Sequence, residues 1–201
     1  MKKVVIINGS PRKLGNSALL ADALKHGIAE ALPDETQVDT FSPSTHEIVP
    51  CIGCERCCKT GECVHNDDMD ALVDALEIAD ALIWISPLYF GTVSAQLKAI
   101  IDRFQLIWSR NVLAGEEGGI RSNRIRPASA FYVSAKDDPF VTEVKRTAAL
   151  LPLRYASNTA GFTLGKDSCF AIVGPHKPGD IESAEFEAVI DSAAALIAGK
   201  V

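Results

Sequence analysis

The strand-like run Lys3-Val4-Val5-Ile6-Ile7 passes into a glycine-bounded loop, Gly9-Ser10-Pro11-Arg12-Lys13-Leu14-Gly15-Asn16-Ser17, and then into a helical period. A continuous β-branched run without polar alternation is a strand covered on both faces. This first unit therefore demands a sheet with helices on either side. The helix is read over Ala18 to Leu32, with Leu19, Leu20, Ala23, Leu24 and Ile28 at helical spacing, Asn16 or Ser17 as its cap, and Pro33 as its stop.

The same alternation repeats along the chain. Gln37 to Phe41 is a second strand, and a helix capped by Asp67 or Asp68 runs to about Asp80, with Met69, Leu72, Val73 and Leu76 on one face. Ala81 to Ser86 is a third strand, Pro87 to Thr92 a turn, and Val93 to about Trp108 a helix. Ala128 to Ser134 is a fourth strand, Pro139 to Leu151 is helical, residues 156–173 contain a fifth strand, and Asp180 to Ala198 is a terminal helix. Strand and helix in strict alternation mean a parallel sheet sandwiched between two helical layers. No change of composition marks a second domain. Residues 1–201 are read as one domain with two departures: a cysteine-rich loop at 42–66 and a polar, glycine-containing excursion at 109–127. A loop as long as 42–66 in a compact domain has a function. In open sheets of this kind ligands bind beyond the carboxyl ends of the strands. The Gly9–Ser17 loop, the cysteine loop and the Pro87 turn all fall at such ends.

Composition narrows the function classes. The net charge of -6 argues against nucleic acid as a partner, because phosphate backbones require a basic face. The apolar run after Lys2 and Lys3 is too short for a signal peptide, and no stretch approaches a membrane span, so a soluble cytoplasmic protein is expected. Five of the six cysteines lie between Cys51 and Cys63. Secreted disulfide frameworks spread their cysteines, whereas a tight group points to metal, cluster or redox chemistry in a reducing compartment.

The Gly9–Ser17 loop is suited to a phosphate. A helix start offers unpaired N–H groups and partial positive charge; Ser10, Asn16 and Ser17 add neutral donors, and Arg12 can add a charge-assisted bond. Two rival motifs are excluded. A Walker A loop has four residues between its glycines followed by Lys-Ser or Lys-Thr, while here five separate Gly9 from Gly15 and Asn16 stands where the lysine would be. The Gly-x-Gly-x-x-Gly dinucleotide fingerprint fails because residue 11 is proline. The loop resembles the Gly-Ser-Pro-Arg-x-x-Gly-Asn-(Ser/Thr) sequence of the NADPH-dependent FMN reductase family. That resemblance implies a flavodoxin-like three-layer α/β sandwich on a five-stranded parallel sheet, and FMN whose phosphate is held by Ser10, Arg12, Asn16 and Ser17.

The second matching stretch is Ser86-Pro87-Leu88-Tyr89-Phe90-Gly91, where the family has Ser-Pro-x-Tyr. A flavin ring needs a flat apolar wall and backbone donors at its polar edge; Tyr89 and Phe90 could supply the wall and the turn the donors. The resemblance thus adds Pro87, Leu88, Tyr89, Phe90 and Gly91 to the FMN site. The family's Lys-x-x-x-Asp-Arg appears as Lys98-Ala99-Ile100-Ile101-Asp102-Arg103, in which Lys98 and Asp102 also read as an ordinary i, i+4 ion pair. Many relatives place two glycines after the fourth strand. This chain has Ser134-Ala135-Lys136-Asp137-Asp138 there.

Cys51, Cys54, Cys57 and Cys63 form C-x2-C-x2-C-x5-C, a spacing that lets thiolates converge on one small inorganic core. Four thiolates suit a 4Fe-4S cluster. Structural zinc more often uses two separated arms. Cys58 permits a C-x2-C-x3-C-x4-C alternative. The pattern resembles the iron–sulfur flavoprotein branch of the same family. Thiols that merely pack beside the flavin entrance stand against the cluster as the other reading. Cys169 reads as a core residue and His65 as solvated. No Gly-x-Ser-x-Gly elbow is present, so a hydrolase of that type has no support.

The expectation is an FMN-dependent oxidoreductase that takes electrons from NAD(P)H or a redox protein such as ferredoxin and passes them to a small acceptor or a partner. The flavin would carry the chemistry, so no catalytic acid or base is assigned. A flavodoxin-like carrier and a thiol redox-sensing module are the alternatives. The excursion, with apolar Val112, Leu113 and Ile120 among Arg110, Glu116, Glu117, Arg121, Arg124 and Arg126, is a candidate subunit contact, a mobile surface loop being the other reading, and the family resemblance implies a homodimer or homotetramer.

Overall fold

The computed structural model describes residues 1–32, 36–119, 126–134 and 139–173, together with residues 187, 190, 191, 193–195 and 197, which are helical. Five strands, β1 (Lys2–Asn8), β2 (Thr36–Phe41), β3 (Ala81–Pro87), β4 (Arg126–Ser134) and β5 (Phe162–Val173), form one sheet in the order β2-β1-β3-β4-β5. Every pairing is parallel. This is the flavodoxin-like order, with its switch point between β1 and β3.

Alternation along the strands makes the three layers. Val4 and Ile6 of β1, with Ile83 and Ile85 of β3, pack on Leu20, Leu24 and Ile28 of α1 (Asn16–Ala31) and on Ala193 and Ile197. Val5 and Ile7, with Leu82 and Trp84, face the other way, onto α3 (Met69–Ile78), α4 (Ala95–Arg103), α5 (Gln105–Leu113) and α6 (Pro139–Thr159). Each such aliphatic side chain contributes about 1.5–3 kcal/mol by leaving water. Trp84 also places its Nε1–H on Ser157 Oγ at 2.9 Å, so its one polar atom is paired. Cys169 is buried in the second layer, as expected.

Several expected boundaries are corrected. The helix begins at Asn16 with Gly15 in the cap position, and no side chain caps it. Asn16 and Ser17 already lie in the helix, whereas a capping residue needs non-helical backbone. Neither Asp67 nor Asp68 caps α3 through a cap-position side chain. Asp67 accepts from Met69 N–H from one position further out, at 3.1 Å, and Asp68 accepts from Glu47 N–H at 2.7 Å. The single helix expected over 93–108 is two, broken at Phe104, whose N–H bonds to Ile101 O three residues back. That tightened turn seats the Phe104 ring 5.5 Å from Trp84. Helix α6 runs through Pro152 to Thr159, past the expected stop at Leu151. Ala149, Leu153 and Ala156 are buried on one face there, and this packing outweighs the missing N–H.

The excursion at 109–127 shrinks at both ends. Residues up to Leu113 complete α5, a short 3-10 turn follows at Glu117–Gly119, and Arg126 is inside β4. Arg126 is not a surface contact. Its Nη1 donates to Leu76 O and Ala79 O, each at 2.7 Å, and its Nη2 to Ala160 O at 2.5 Å, while the guanidinium lies 3.8 Å over the Phe162 ring. A buried cation among carbonyls that end α3 and α6 satisfies both its own donors and the helix ends. Ile120, Arg121 and Arg124 lie outside the described residues, as do residues 135–138 after β4.

Candidate functional site

Strands β2, β1 and β3 are neighbours in the sheet, so the cysteine loop, the phosphate loop and the Pro87 turn leave the same edge side by side.

The phosphate loop is tightly built. Gly9 N–H donates to Ile85 O at 2.8 Å, and Ser94 Oγ donates to Gly9 O at 2.5 Å. A Cβ at Gly9 would fall inside contact distance of the Leu97 side chain, so only glycine lets the loop approach α4 this closely. Ser10 is buried; its N–H donates to Asn8 Oδ1 and its Oγ accepts from Arg12 N–H. Ser17 is buried in the first turn of α1, Asn16 is half-buried beside it, and the Arg12 side chain is exposed. Two of the four expected phosphate ligands, Asn16 and Ser17, thus lie in the first turn of α1; Ser10 is held in the loop before it, and Arg12 is on the solvent side.

Beyond β3, Leu88 N–H donates to Val133 O at 3.0 Å, and Tyr89 and Thr92 exchange backbone bonds of 3.0 and 3.1 Å. Phe90 and Gly91 between them both have positive φ, 48° and 81°. Two positive values in succession mark a tight hairpin turn, and a bulky residue in the first position is rare. The turn presents Tyr89 at 41% and Phe90 at 108% of their reference exposure, while Pro87 is buried at the strand end. Ser86 and Ser94 were not singled out from sequence. Ser86 Oγ accepts from Ser94 N–H at 3.2 Å, and Ser94 caps α4 by accepting from Leu97 N–H at 3.1 Å. The serine ahead of the Ala95 helix was the available signal.

The cysteine loop is open by comparison. It contains a short helix, α2 (Arg56–Thr60), entered through Glu55 at φ 57° and left through Gly61 at φ 71°. All six cysteines are free thiols; Cys51, Cys54 and Cys58 are exposed, and Cys57 and Cys63 are half-buried. Cys51, Cys54, Cys57, Cys58 and Cys63 line one cavity of about 600 Å³ with His65, Asp102, Gln105 and Trp108. Ser109 Oγ lies 3.4 Å from both Cys57 Sγ and Cys58 Sγ. Burial pushes the Cys57 thiol above its ordinary value, with Cys58 and Cys63 adding to the shift and the Ser109 hydroxyl opposing it. Among the described residues, no three ligating side chains converge tightly enough for a single metal ion.

The base of this loop is anchored. Arg103 and Asp67 form a buried ion pair at 2.6 Å, with side chains 1% and 4% exposed. Burial alone would raise the Asp67 carboxyl, but the bonds from Arg103, Val49 N–H and Met69 N–H hold it below its usual value. Arg110 Nε donates to Gly61 O at 2.8 Å. Two buried atoms here have no partner of hydrogen-bond geometry: His65 Nε2, on a residue that lines the thiol cavity, and Arg103 Nε, at the base of the loop. An orphaned His65 nitrogen in a cavity lined by five thiols fits an inorganic, sulfur-ligated group, whose thiolates and sulfides accept hydrogen bonds. His65 therefore belongs to the cavity wall and is not a solvated bystander. Lys98 and Asp102 form the plain surface ion pair, at 2.6 Å and half exposed.

The profile of the NADPH-dependent FMN reductase family matches residues 2–126. An iron–sulfur flavoprotein of Archaeoglobus fulgidus is 41% identical over 117 residues, 58% of this chain and 52% of that protein. One from Methanocaldococcus jannaschii is 43% identical over 101 residues, 50% of this chain and 51% of that protein. The matched stretch spans about half the length of these curated relatives. Among solved structures, a flavodoxin, WrbA-like protein from Agrobacterium tumefaciens superposes with a TM-score of 0.58 at 15% identity, covering 99% of this chain and 97% of that one. Among the described residues, no helix is long and apolar enough to cross a membrane.

Proposed function

The chain belongs to the NADPH-dependent FMN reductase family, and from that premise we propose that it is an FMN-dependent oxidoreductase of the iron–sulfur flavoprotein type. It takes electrons from NAD(P)H or a redox protein such as ferredoxin and passes them to a small acceptor. The observation that carries this reading is the placement of the phosphate loop, the Pro87–Gly91 turn and the five-thiol loop on adjacent strands at one sheet edge.

FMN, when bound, supplies hydride and electron transfer. The chain's own residues bind and orient it. The first N–H groups of α1 with Ser10, Asn16 and Ser17 hold the phosphate, and Arg12 closes on it from solvent. Pro87 and Leu88 line the ring edge, Gly91 offers its backbone there, and Tyr89 and Phe90 cover the ring face. Cys51, Cys54 and Cys63, with Cys57 or Cys58, hold a 4Fe-4S cluster. Residues 1–201 act as one domain of a cytoplasmic homo-oligomer, for which the exposed Trp108, Val112 and Leu113 of α5 supply an apolar face.

Anaerobically reconstituted protein should carry FMN and about four irons and four sulfides per chain, and should oxidise NAD(P)H with an added quinone or free flavin. FMN without stoichiometric iron would overturn the cluster and leave a cluster-free reductase. Reduction by ferredoxin or dithionite alone would move the protein to the flavodoxin-like carriers.

A further inference from the structure

Helix α4 joins the two loops. At its start, Ser94 holds the backbone of Gly9 in the phosphate loop. At its end, Arg103 holds the cysteine loop. Nine residues span this distance, about 13 Å of helix.

Arg103 is among the largest wholly buried side chains of the protein. Its Nη1 donates to Val49 O at 2.7 Å and to Asp67 Oδ2 at 2.6 Å, and its Nη2 to Asp67 Oδ1 at 3.1 Å. These bonds fix the guanidinium plane and use its outer fork. Burial works against the Arg103 charge, and the bond and charge of Asp67, followed by the neighbouring Cys63, hold the guanidinium above its ordinary pKa. The Nε–H does not reach a partner with hydrogen-bond geometry, although it is buried. A buried donor in that state costs its full desolvation, and a metal-bound thiolate at Cys63 would relieve it.

We propose that Arg103 is the positioning residue of the cluster loop, seating Cys63 and raising the reduction potential of the cluster that Cys63 helps to hold. This rests on the cluster reading above. Reduction adds one electron and one negative charge to the cluster and neither makes nor breaks a bond. Arg103 stays protonated throughout, so its charge is fixed. A buried cation beside a ligand sulfur favours the more negative, reduced cluster, and hydrogen bonds to sulfur act in the same direction. Asp67 offsets part of that charge, which fixes opposite signs for the two residues.

The test is a dithionite titration of anaerobically reconstituted holoprotein with redox mediators. Electron paramagnetic resonance reads the cluster, and absorbance reads the FMN in the same sample. Arg103→Gln should lower the reduced-to-oxidised ratio of the cluster about tenfold at a fixed potential, about 59 mV for one electron, with FMN content and potential unchanged. Asp67→Asn should move the ratio the other way. Arg103→Lys should keep the ratio near wild type while holding less iron, because it keeps the charge and loses the fork. A wild-type ratio in Arg103→Gln sinks the proposal. If that variant loads no iron, a wild-type ratio in Asp67→Asn sinks it instead. Wild-type protein that takes up no iron removes the cluster reading itself, and this inference with it; a loaded wild type with unshifted variants removes only the inference.

Discussion

The phosphate loop and the cysteine loop leave neighbouring strands, yet they are built in opposite ways. Gly9 is pinned by Ile85 and Ser94, Ser10 is buried, and Ser17 is packed into α1. The cysteine loop is fastened at its base by Arg103, Asp67 and Arg110, and its tip carries Cys51 and Cys54 in solvent. A loop whose backbone bonds are already satisfied by the sheet and α4 is organised before any ligand arrives. Its ligand pays little ordering entropy. In the proposed reading, a loop of exposed thiols around a cavity of about 600 Å³ would take its final closure from the cluster it holds, linking folding to metal uptake there.

The largest effect should fall on the open loop. Cys54→Ala should abolish stoichiometric iron binding while leaving FMN bound, measured by metal analysis and absorbance on one anaerobic sample. Loss of both cofactors together would mean that the two loops are not separately built. Next in size, Arg12→Ala should weaken FMN binding by about 1.5–3 kcal/mol in a fluorescence titration. Riboflavin, lacking the phosphate, should bind wild type poorly and be insensitive to the substitution. Equal FMN affinity in the two proteins would leave the phosphate to the helix start and the serines.

Gly9→Ala tests the rigidity of the phosphate loop directly. The added methyl meets Leu97, so global stability should fall by about 1–3 kcal/mol in urea unfolding. FMN affinity should fall with it as the loop is pushed off α4. A fully stable variant would show that the loop yields, contrary to the comparison drawn above. The smallest effect belongs to Lys98→Ala. Its partner Asp102 is half exposed, so the change should cost no more than about 0.5 kcal/mol, with FMN binding unaltered. A large loss of FMN would promote Lys98 from a surface pair to a cofactor contact.

The strand runs, the glycine loop and the thiol spacing were legible because they are local. Val4 to Ile7 can be little but a doubly covered strand, and Gly9, Pro11, Gly15 and Asn16 rule out the competing phosphate motifs by residue type and spacing. The sheet order that sets three loops on one edge depends on pairing between strands far apart in the chain, which only tertiary structure decides. The same holds for the break at Phe104, the persistence of α6 through Pro152, and the burial of Arg126, where packing overrode the local signal. Arg103 is the sharpest case. In sequence it closes a Lys-x-x-x-Asp-Arg stretch with a solvated look, and nothing nearby announces that its partners are Val49 and Asp67, both more than thirty residues away. A buried charge is tolerated only where the fold assembles its counter-charge and acceptors around it, and that assembly is a property of the folded chain, not of any segment of it.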